Sequence, residues 1–169
     1  MLTALEEYEV LARKKGSRLP NLLCVITGKG PLRAFYEKKV AESDFLHVRV
    51  TTMWLAIEDY PLLLGSADIG ICLHTSSSGL DLPMKVVDMF GCGLPVCAID
   101  FKCLPELVKH DENGLVFDSP TVLARQFERL LEGFPAKQPD LRRFRSNLES
   151  FRANGWDANW NKVAKPILS

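Results

Sequence analysis

The sequence lacks a charge excess, a long apolar run and any metal-ligand spacing. Lys plus Arg and Asp plus Glu both total 21 in 169 residues, so the chain has no positive field and we expect no nucleic-acid partner. It contains no run of about 20 apolar residues and no signal-peptide core, which predicts no membrane anchor in this chain. The three histidines and five cysteines show neither zinc-site spacing nor a C-x-x-C pair. We therefore predict no metal, no cofactor and free, mostly buried cysteines.

Strand-like and helix-like patterns alternate along the chain, and apolar residues make up 47% of it. Short apolar runs predict strands at 22–27, 46–51, 69–73, 95–99 and 115–117. Amphipathic patterns predict helices at 2–15, 32–42, 83–90, 104–109, 120–131, 141–151 and 156–168, with a further segment, interrupted by Pro61, at 53–67. This alternation is typical of an α/β fold, a Rossmann-like parallel sheet of about five strands with flanking helices. The apolar residues of the first strand are continuous, so we expect it to be covered on both faces.

Ligands of parallel sheets bind at the carboxyl ends of the strands, and a glycine-containing turn follows the first strand there. Gly28, Lys29 and Gly30 precede a helix, where the backbone approaches a ligand closely and the helix N-terminus attracts anions. The pattern is neither G-x-G-x-x-G nor a P-loop, and an ordinary tight turn is the alternative. Trp54, after the second strand, either stacks on a base or fills the core, and core filling is favoured.

The segment between the third strand and the helix at 83–90 is rich in hydrogen-bond donors. Three serines and a glycine at 76–79 lead to Asp81 and Pro83. Pro83 fits the first turn of a helix, whose free N–H groups, together with serine hydroxyls, would cradle a diphosphate. Asp81 alternatively caps the helix, which is a purely structural role.

Lys85 and Asp88 lie three residues apart and therefore on one face of that helix. A lysine suits phosphate, and a carboxylate suits the vicinal hydroxyls of a sugar. The alternative is a surface ion pair worth about a few tenths of a kcal/mol. Met84, Val87 and Met89 are expected to point elsewhere and to pack.

Three segments closely resemble the chitobiosyldiphosphodolichol beta-mannosyltransferase family: ITGKGP at 26–31, residues 59–96, and FKCLPELVKHDENGLVF at 101–117. The broader order of strand, polar loop, acidic helix and CGLPV is similar to that of the two-Rossmann-domain, or GT-B, glycosyltransferases. The resemblance implies transfer of the first mannose from GDP-mannose to dolichol-diphosphate-linked chitobiose, in N-glycan precursor assembly on the cytosolic face of the endoplasmic reticulum. It implies that this chain is the C-terminal, donor-binding part of such an enzyme.

The resemblance also implies roles for individual residues. Gly28 and Gly30, with Lys29 between them, would line the nucleotide cleft, and residues 52–54, including Thr52 and Trp54, would flank the guanine. The diphosphate and the donor sugar would be met by Ser77, Ser78, Gly79, Leu80, Asp81 and Leu82. Asp88 stands where related enzymes have a glutamate for the ribose, and it is one methylene shorter.

Family members are longer, with a membrane anchor and an N-terminal domain that faces the lipid acceptor. In the sheet order 3-2-1-4-5-6 the first strand is central, and the sequence begins after its expected position. We therefore expect residues 1–169 to form a single, incomplete nucleotide-sugar-binding domain with a helical tail at 137–169. Trp156 and Trp160 share a face of that tail, which is either exposed to solvent or packed on the sheet's own helices.

The base that deprotonates the acceptor is expected in the N-terminal domain, so we predict that the isolated chain is inactive and assign it no catalytic residue. The alternative is a non-catalytic fragment or paralogue that binds a nucleotide sugar or docks on the full-length mannosyltransferase. Such a chain, without an anchor, would be cytoplasmic.

Overall fold

The computed structural model describes residues 1–75, 78 and 80–168. Its strands are β1 (Leu22–Thr27), β2 (Val48–Met53), β3 (Gly70–Cys72), β4 (Val96–Ile99) and β5 (Gly114–Phe117). Its α-helices are α1 (Leu2–Ala12), α2 (Arg33–Glu42), α3 (Asp59–Ser66), α4 (Met84–Gly91), α5 (Pro120–Leu131), α6 (Pro139–Asn147), α7 (Glu149–Ala153), α8 (Trp156–Asn159) and α9 (Lys165–Leu168). A 3₁₀ turn covers Leu104–Glu106 and a π-helical turn covers Trp160–Ala164. The chain forms two compact units, one of residues 1–63 and 117–140 and the other of residues 64–116 and 141 onward.

The first unit contains a two-stranded parallel sheet and the helix pair α1–α5. β1 pairs with β2 from Leu22↔Val48 to Thr27↔Met53. The helices pack through Tyr8 and Phe127, whose rings meet edge to face with their centroids 6.2 Å apart. The Tyr8 hydroxyl donates to the carbonyl oxygen of Pro20 at 2.7 Å, and burial raises its pKa. The apolar faces of α1 and α5 thus supply the core of this unit.

A buried carboxylate joins α1 to β2. Glu9 lies on the apolar face of α1 and is only 4% exposed. Its Oε1 accepts a hydrogen bond from Nε of Arg13 at 2.7 Å, and its Oε2 accepts from the backbone N–H groups of His47 and Val48 at 2.8 and 3.1 Å. Burial alone would raise the pKa of Glu9, but the hydrogen bonds from Arg13 and His47 outweigh it and lower the pKa. The charged carboxylate therefore holds the start of β2 against α1.

The second unit contains a three-stranded sheet in the order β3-β4-β5. β3 pairs in parallel with β4 from Gly70↔Val96 to Cys72↔Ala98. Its core is formed by apolar side chains from the sheet, from α4 and from α6, among them Val86, Phe90, Val96, Leu115, Leu141 and Phe144. Phe90 of α4 also meets Phe151 of α7 edge to face, with the ring centroids 5.5 Å apart. These contacts fix the position of α4, the helix that carries Lys85 and Asp88.

The predicted strands and their parallel arrangement are confirmed, and β1 occupies the predicted residues. They form two sheets where one was predicted. The pairings found, β1 with β2 and β3-β4-β5, are those that the order 3-2-1-4-5-6 keeps when its first strand is left out. The expectation that β1 is covered on both faces is wrong, since Leu23 is 64% exposed. Among the described residues β2 is the one strand that pairs with it.

Most of the predicted helices are found with bounds that differ by a few residues, whereas the helix predicted at 104–109 is wrong, since only the 3₁₀ turn Leu104–Glu106 forms there. α5 matches the predicted bounds because Ser119 caps it, its Oγ accepting from the N–H of Val122, and Pro120 occupies its first position. The helix predicted to reach residue 15 ends at Ala12, and a turn then leads to Gly16, whose φ of +84° requires glycine. Within the described part of the chain, no helix combines the length and apolar character needed to cross a bilayer.

All five cysteines are free. Cys72 and Cys97 are buried, and the other three are half-buried, which agrees with the expectation for the first two. Burial raises the pKa of Cys97 to about 12. That thiol therefore stays protonated near neutral pH and packs as a small apolar group.

The two tryptophans of the C-terminal tail stack on each other. Trp156 and Trp160 are 77% and 41% exposed, with ring centroids 6.0 Å apart and an angle of 20° between the ring planes. Of the two predicted arrangements, exposure to solvent is the one found.

Candidate functional site

The predicted site residues belong to two groups, one in each unit. Gly28, Lys29, Gly30, Thr52 and Trp54 lie in the first unit, at the carboxyl ends of β1 and β2. The described residues of the second group lie in the second unit, after the carboxyl end of β3: Ser78, Leu80, Asp81, Leu82, Lys85 and Asp88. Both groups thus occur where a parallel sheet places its ligands.

The turn after β1 is hydrogen-bonded to the end of β2. The N–H of Gly28 donates to the carbonyl oxygen of Met53 at 3.1 Å. Gly28 has a φ of +136°, a backbone conformation that other residues avoid. Nothing lies within 4 Å of the positions that β-carbons would occupy at Gly28 and Gly30. The turn is therefore open to an incoming group.

Lys29 and Trp54 interact in this turn. The Lys29 ammonium lies 4.3 Å from the centroid of the Trp54 ring, within the range of a cation–π contact. Trp54 is 60% exposed, so the favoured expectation that it fills the core is wrong. The loop after β2 carries the ring out of the apolar layer, and one large apolar surface is left available for stacking.

Thr52 faces a different set of neighbours. Its hydroxyl donates to Oε1 of Glu37, which also accepts from Nε of Arg33 at 2.8 Å. The hydrogen bond from Thr52, followed by that from Arg33, lowers the pKa of Glu37. These three side chains line a concavity of about 290 Å³ beside β2 and α2. Glu37 and Arg33 were not predicted from the sequence, although their helical spacing of four was an available signal.

The serine-rich segment is described only in part. Ser77 and Gly79 of the predicted site, and Ser76 beside them, lie outside the described residues. The Ser78 hydroxyl oxygen accepts from the N–H of Leu80 at 3.3 Å, which is a local turn contact. Leu80 is 68% exposed, and Leu82 is half-buried. Leu80 therefore presents an apolar side chain to solvent.

Asp81 is held by a histidine. Nε2 of His74 lies 3.2 Å from Oδ2 of Asp81, and both side chains are largely exposed. The alternative in which Asp81 caps the following helix is wrong: the N-cap residue of α4 is Pro83, and no side chain described at that end bonds to its free amides. His74 was missed as a partner because it lies seven positions before Asp81, a spacing that no regular helix or strand pattern brings together.

Helix α4 presents its polar face to solvent. Lys85 and Asp88 are exposed, and among the described side chains neither forms an ion pair, so the surface-pair alternative does not hold. Met84 is 70% exposed, contrary to the expectation that it packs, whereas Met89 is buried. Pro83 is the N-cap residue, with extended backbone (φ −73°, ψ 110°), and its carbonyl oxygen accepts from the N–H of Val86 at 2.9 Å. No described side chain caps the N–H groups of the first turn.

This second group has the chemistry of an anion and sugar site. First-turn amides and the Lys85 ammonium suit phosphate oxygens, and the Asp88 carboxylate suits hydroxyl donors. Among the described residues no three His, Cys, Asp or Glu side chains converge to hold a metal ion. A group of this composition would suit the phosphate and hydroxyl groups of a phosphorylated sugar.

The chain is similar in sequence to curated glycosyltransferases. The chain is 56% identical over 168 residues, 99% of its length, to the chitobiosyldiphosphodolichol beta-mannosyltransferase of Homo sapiens, and it spans 36% of that protein. It is 55% identical over 169 residues to the Mus musculus enzyme of that name. It is 52% identical over 174 residues to the UDP-glycosyltransferase TURAN of Arabidopsis thaliana. The chain thus spans about a third of the length of these curated relatives.

Solved structures agree on the fold. The pneumococcal O-GlcNAc transferase GtfA, in complex with UDP and GlcNAc, matches 99% of this chain and 33% of its own with a TM-score of 0.63 at 14% identity. The GtfA/B complex matches 97% of this chain with a TM-score of 0.66 at 15% identity.

The family model for glycosyl transferases group 1 matches residues 2–133. The chain belongs to the glycosyl transferases group 1 family.

Proposed function

We propose that the chain supplies the donor-binding part of a beta-mannosyltransferase. The donor is GDP-mannose, the acceptor is dolichol-diphosphate-linked chitobiose, and the reaction belongs to N-glycan precursor assembly on the cytosolic face of the endoplasmic reticulum. The observation that carries the proposal is the 56% identity to the human enzyme over 99% of this chain.

The exposed groups of the second unit suit that donor. In an inverting transfer the acceptor hydroxyl forms a new bond to the anomeric carbon while the bond from that carbon to the β-phosphate oxygen breaks. The electron pair goes to GDP, so donors at the phosphate stabilise the transition state. The first-turn amides of α4 and Lys85 are such donors. Asp88 would hold hydroxyls of the ribose.

The proton of the acceptor hydroxyl must go to a base. No residue of this chain is assigned that role, and we therefore expect donor binding without mannose transfer from the 169-residue polypeptide. The assay combines GDP-mannose with lipid-linked chitobiose and this chain alone. Product formed at an enzymatic rate would contradict this part of the proposal.

Lys85→Ala is expected to weaken GDP binding about tenfold, because it removes one charge-assisted hydrogen bond to phosphate. Isothermal titration calorimetry with GDP and GDP-mannose measures this. Lys15→Ala is the matched control, since Lys15 is an exposed lysine after α1. Unaltered affinity in the Lys85 variant would remove Lys85 from the site. Absence of heat from the unmodified chain, with capture of the full-length mannosyltransferase, would favour the docking alternative.

Trp54→Ala is expected to weaken GDP binding about five- to tenfold, because the exposed ring is proposed to stack on guanine. Trp54→Phe retains an aromatic face and should retain most of the affinity. Trp156→Ala, which removes an exposed tryptophan of the tail, is the control. Equal affinities for GDP in the Ala and Phe variants would show that the ring does not bind the base.

A further inference from the structure

A second concavity lies in the second unit, at the amino ends of β3 and β4. Its volume is about 610 Å³, which is within the range of small-molecule sites. One wall is formed by the end of α3 and the residues that precede β3, and another by Cys92–Leu94, just ahead of β4. The residues proposed for the donor, Leu80 to Asp88, follow the opposite, carboxyl end of β3. This concavity therefore requires a separate explanation.

The remaining wall carries three arginines. Arg142 and Arg145 on α6 and Arg152 on α7 follow one another at steps of three and seven residues, and all line the concavity. Nη2 of Arg145 lies 3.4 Å from Oδ1 of Asp68. Within the described part of the chain, Arg142 and Arg152 form no ion pair. Arg142 and Arg152 thus line the same space without a direct ion pair to the carboxylates that also line it, Asp68 and Glu149.

Capping of α4 does not account for Arg152. Its guanidinium is 3.5 Å from the position that a β-carbon of Gly93 would occupy, close to the end of that helix. However, the last carbonyl oxygens of α4 already accept from backbone N–H groups: those of Asp88 and Met89 accept from Cys92, and that of Phe90 accepts from Gly93. These three carbonyl oxygens therefore do not depend on Arg152 for a hydrogen bond.

The charges around the concavity favour an anion. Asp68 and Glu149 are the carboxylates of the lining, against Arg142, Arg145 and Arg152, so the wall is positive overall. Like charges around one space repel, and a bound anion relieves that repulsion. A guanidinium fork matches the oxygens of phosphate with two parallel hydrogen bonds. Phosphate has several oxygens that unpaired guanidinium groups such as those of Arg142 and Arg152 can donate to.

We propose that this concavity binds the phosphate group of a small phosphomonoester. Arg142 and Arg152 donate to the phosphate oxygens, and Arg145, held by Asp68, adds positive charge beside them. The ligand class follows from the two free forks and the limited volume.

The test uses inorganic phosphate as the probe and the full 169-residue chain. Titration at low ionic strength, followed by the arginine side-chain N–H signals in NMR spectra, should give saturable shifts at Arg142 and Arg152. The double variant R142S/R152S should bind phosphate at least about tenfold more weakly. R125S is the matched control, because Arg125 is an exposed arginine of α5 without an ion pair among the described residues. It should bind phosphate as the unmodified chain does.

Either of two results would overturn the inference. One is the absence of saturable shifts at Arg142 and Arg152 up to about 20 mM phosphate, a weaker affinity than a built site would show. The other is unchanged phosphate affinity in R142S/R152S. GDP affinity, measured on the same double variant, should remain that of the unmodified chain, so a failure of the phosphate site is distinguishable from a failure of the donor site.

Discussion

Replacing Glu9 by alanine is expected to lower the free energy of unfolding by about 3 kcal/mol, because it removes the acceptor of two backbone N–H groups and the partner of an arginine. The N–H groups belong to His47 and to Val48, which is buried and begins β2. Water reaches a buried N–H poorly, so each loses a hydrogen bond without full compensation. Urea unfolding followed by circular dichroism measures the change.

The effect should depend on pH in a defined direction. The pKa of Glu9 is lowered in the folded protein: burial raises it, but the hydrogen bonds from Arg13 and His47 outweigh that effect. A carboxyl whose pKa is lower in the folded state contributes stability above its unfolded pKa of about 4.3. That contribution is lost as pH falls through the folded-state pKa. The difference in stability between the unmodified chain and Glu9→Gln should therefore be full near pH 7 and should shrink below about pH 4.

Glu6→Ala is the matched control for Glu9→Ala. Glu6 is an exposed glutamate of the same helix, and its replacement should change the free energy of unfolding by less than about 0.5 kcal/mol. A Glu9→Gln penalty that stays constant from neutral to acidic pH would show that the charge of the carboxylate is not what holds β2 to α1.

The local elements were predictable because their signals are local. The apolar run of β1 and the Ser119-Pro120 start of α5 are contained in a few consecutive residues, and the structure follows them. The exposure of β1 was not predictable in this way. An apolar run predicts a strand whose faces are more stable when buried. Whether they are buried depends on which elements pack beside the strand, and Leu23 is left exposed.

The candidate site could be predicted from the sequence as a set of loops, and less so as a set of contacts. The segments around Gly28 and Asp81 lie after the carboxyl ends of β1 and β3, as the order of strands and loops predicts. The partners of the side chains depend on how the chain folds: Glu37 accepts from Thr52, fifteen positions away, and His74 contacts Asp81, seven positions away. Glu9 is a further example. Its position on the apolar face of α1 does not predict that it accepts hydrogen bonds from the N–H groups of His47 and Val48.

Gly114→Ala is expected to destabilise the second unit by at least about 3 kcal/mol, because its new β-carbon would overlap backbone that cannot move cheaply. Gly114 begins β5, and a β-carbon there would meet the carbonyl oxygen of Val96 in β4, with Cγ2 of Val96 at 3.1 Å. Relief requires β5 to move away from β4, which loosens the buried Leu115 and Phe117. Urea unfolding monitored by circular dichroism measures the loss.

Two further glycines separate this steric cause from a general cost of losing glycine. A β-carbon at Gly70 would lie 2.5 Å from Sδ of Met89, a flexible side chain that can shift, so Gly70→Ala should cost about 1 kcal/mol. At Gly65 in α3 nothing lies within 4 Å, and alanine should be neutral or stabilising by about 0.5–1 kcal/mol. The order of cost should be Gly114, Gly70, Gly65. Equal losses at Gly114 and Gly70 would mean that contact with the Val96 carbonyl does not set the spacing of β4 and β5.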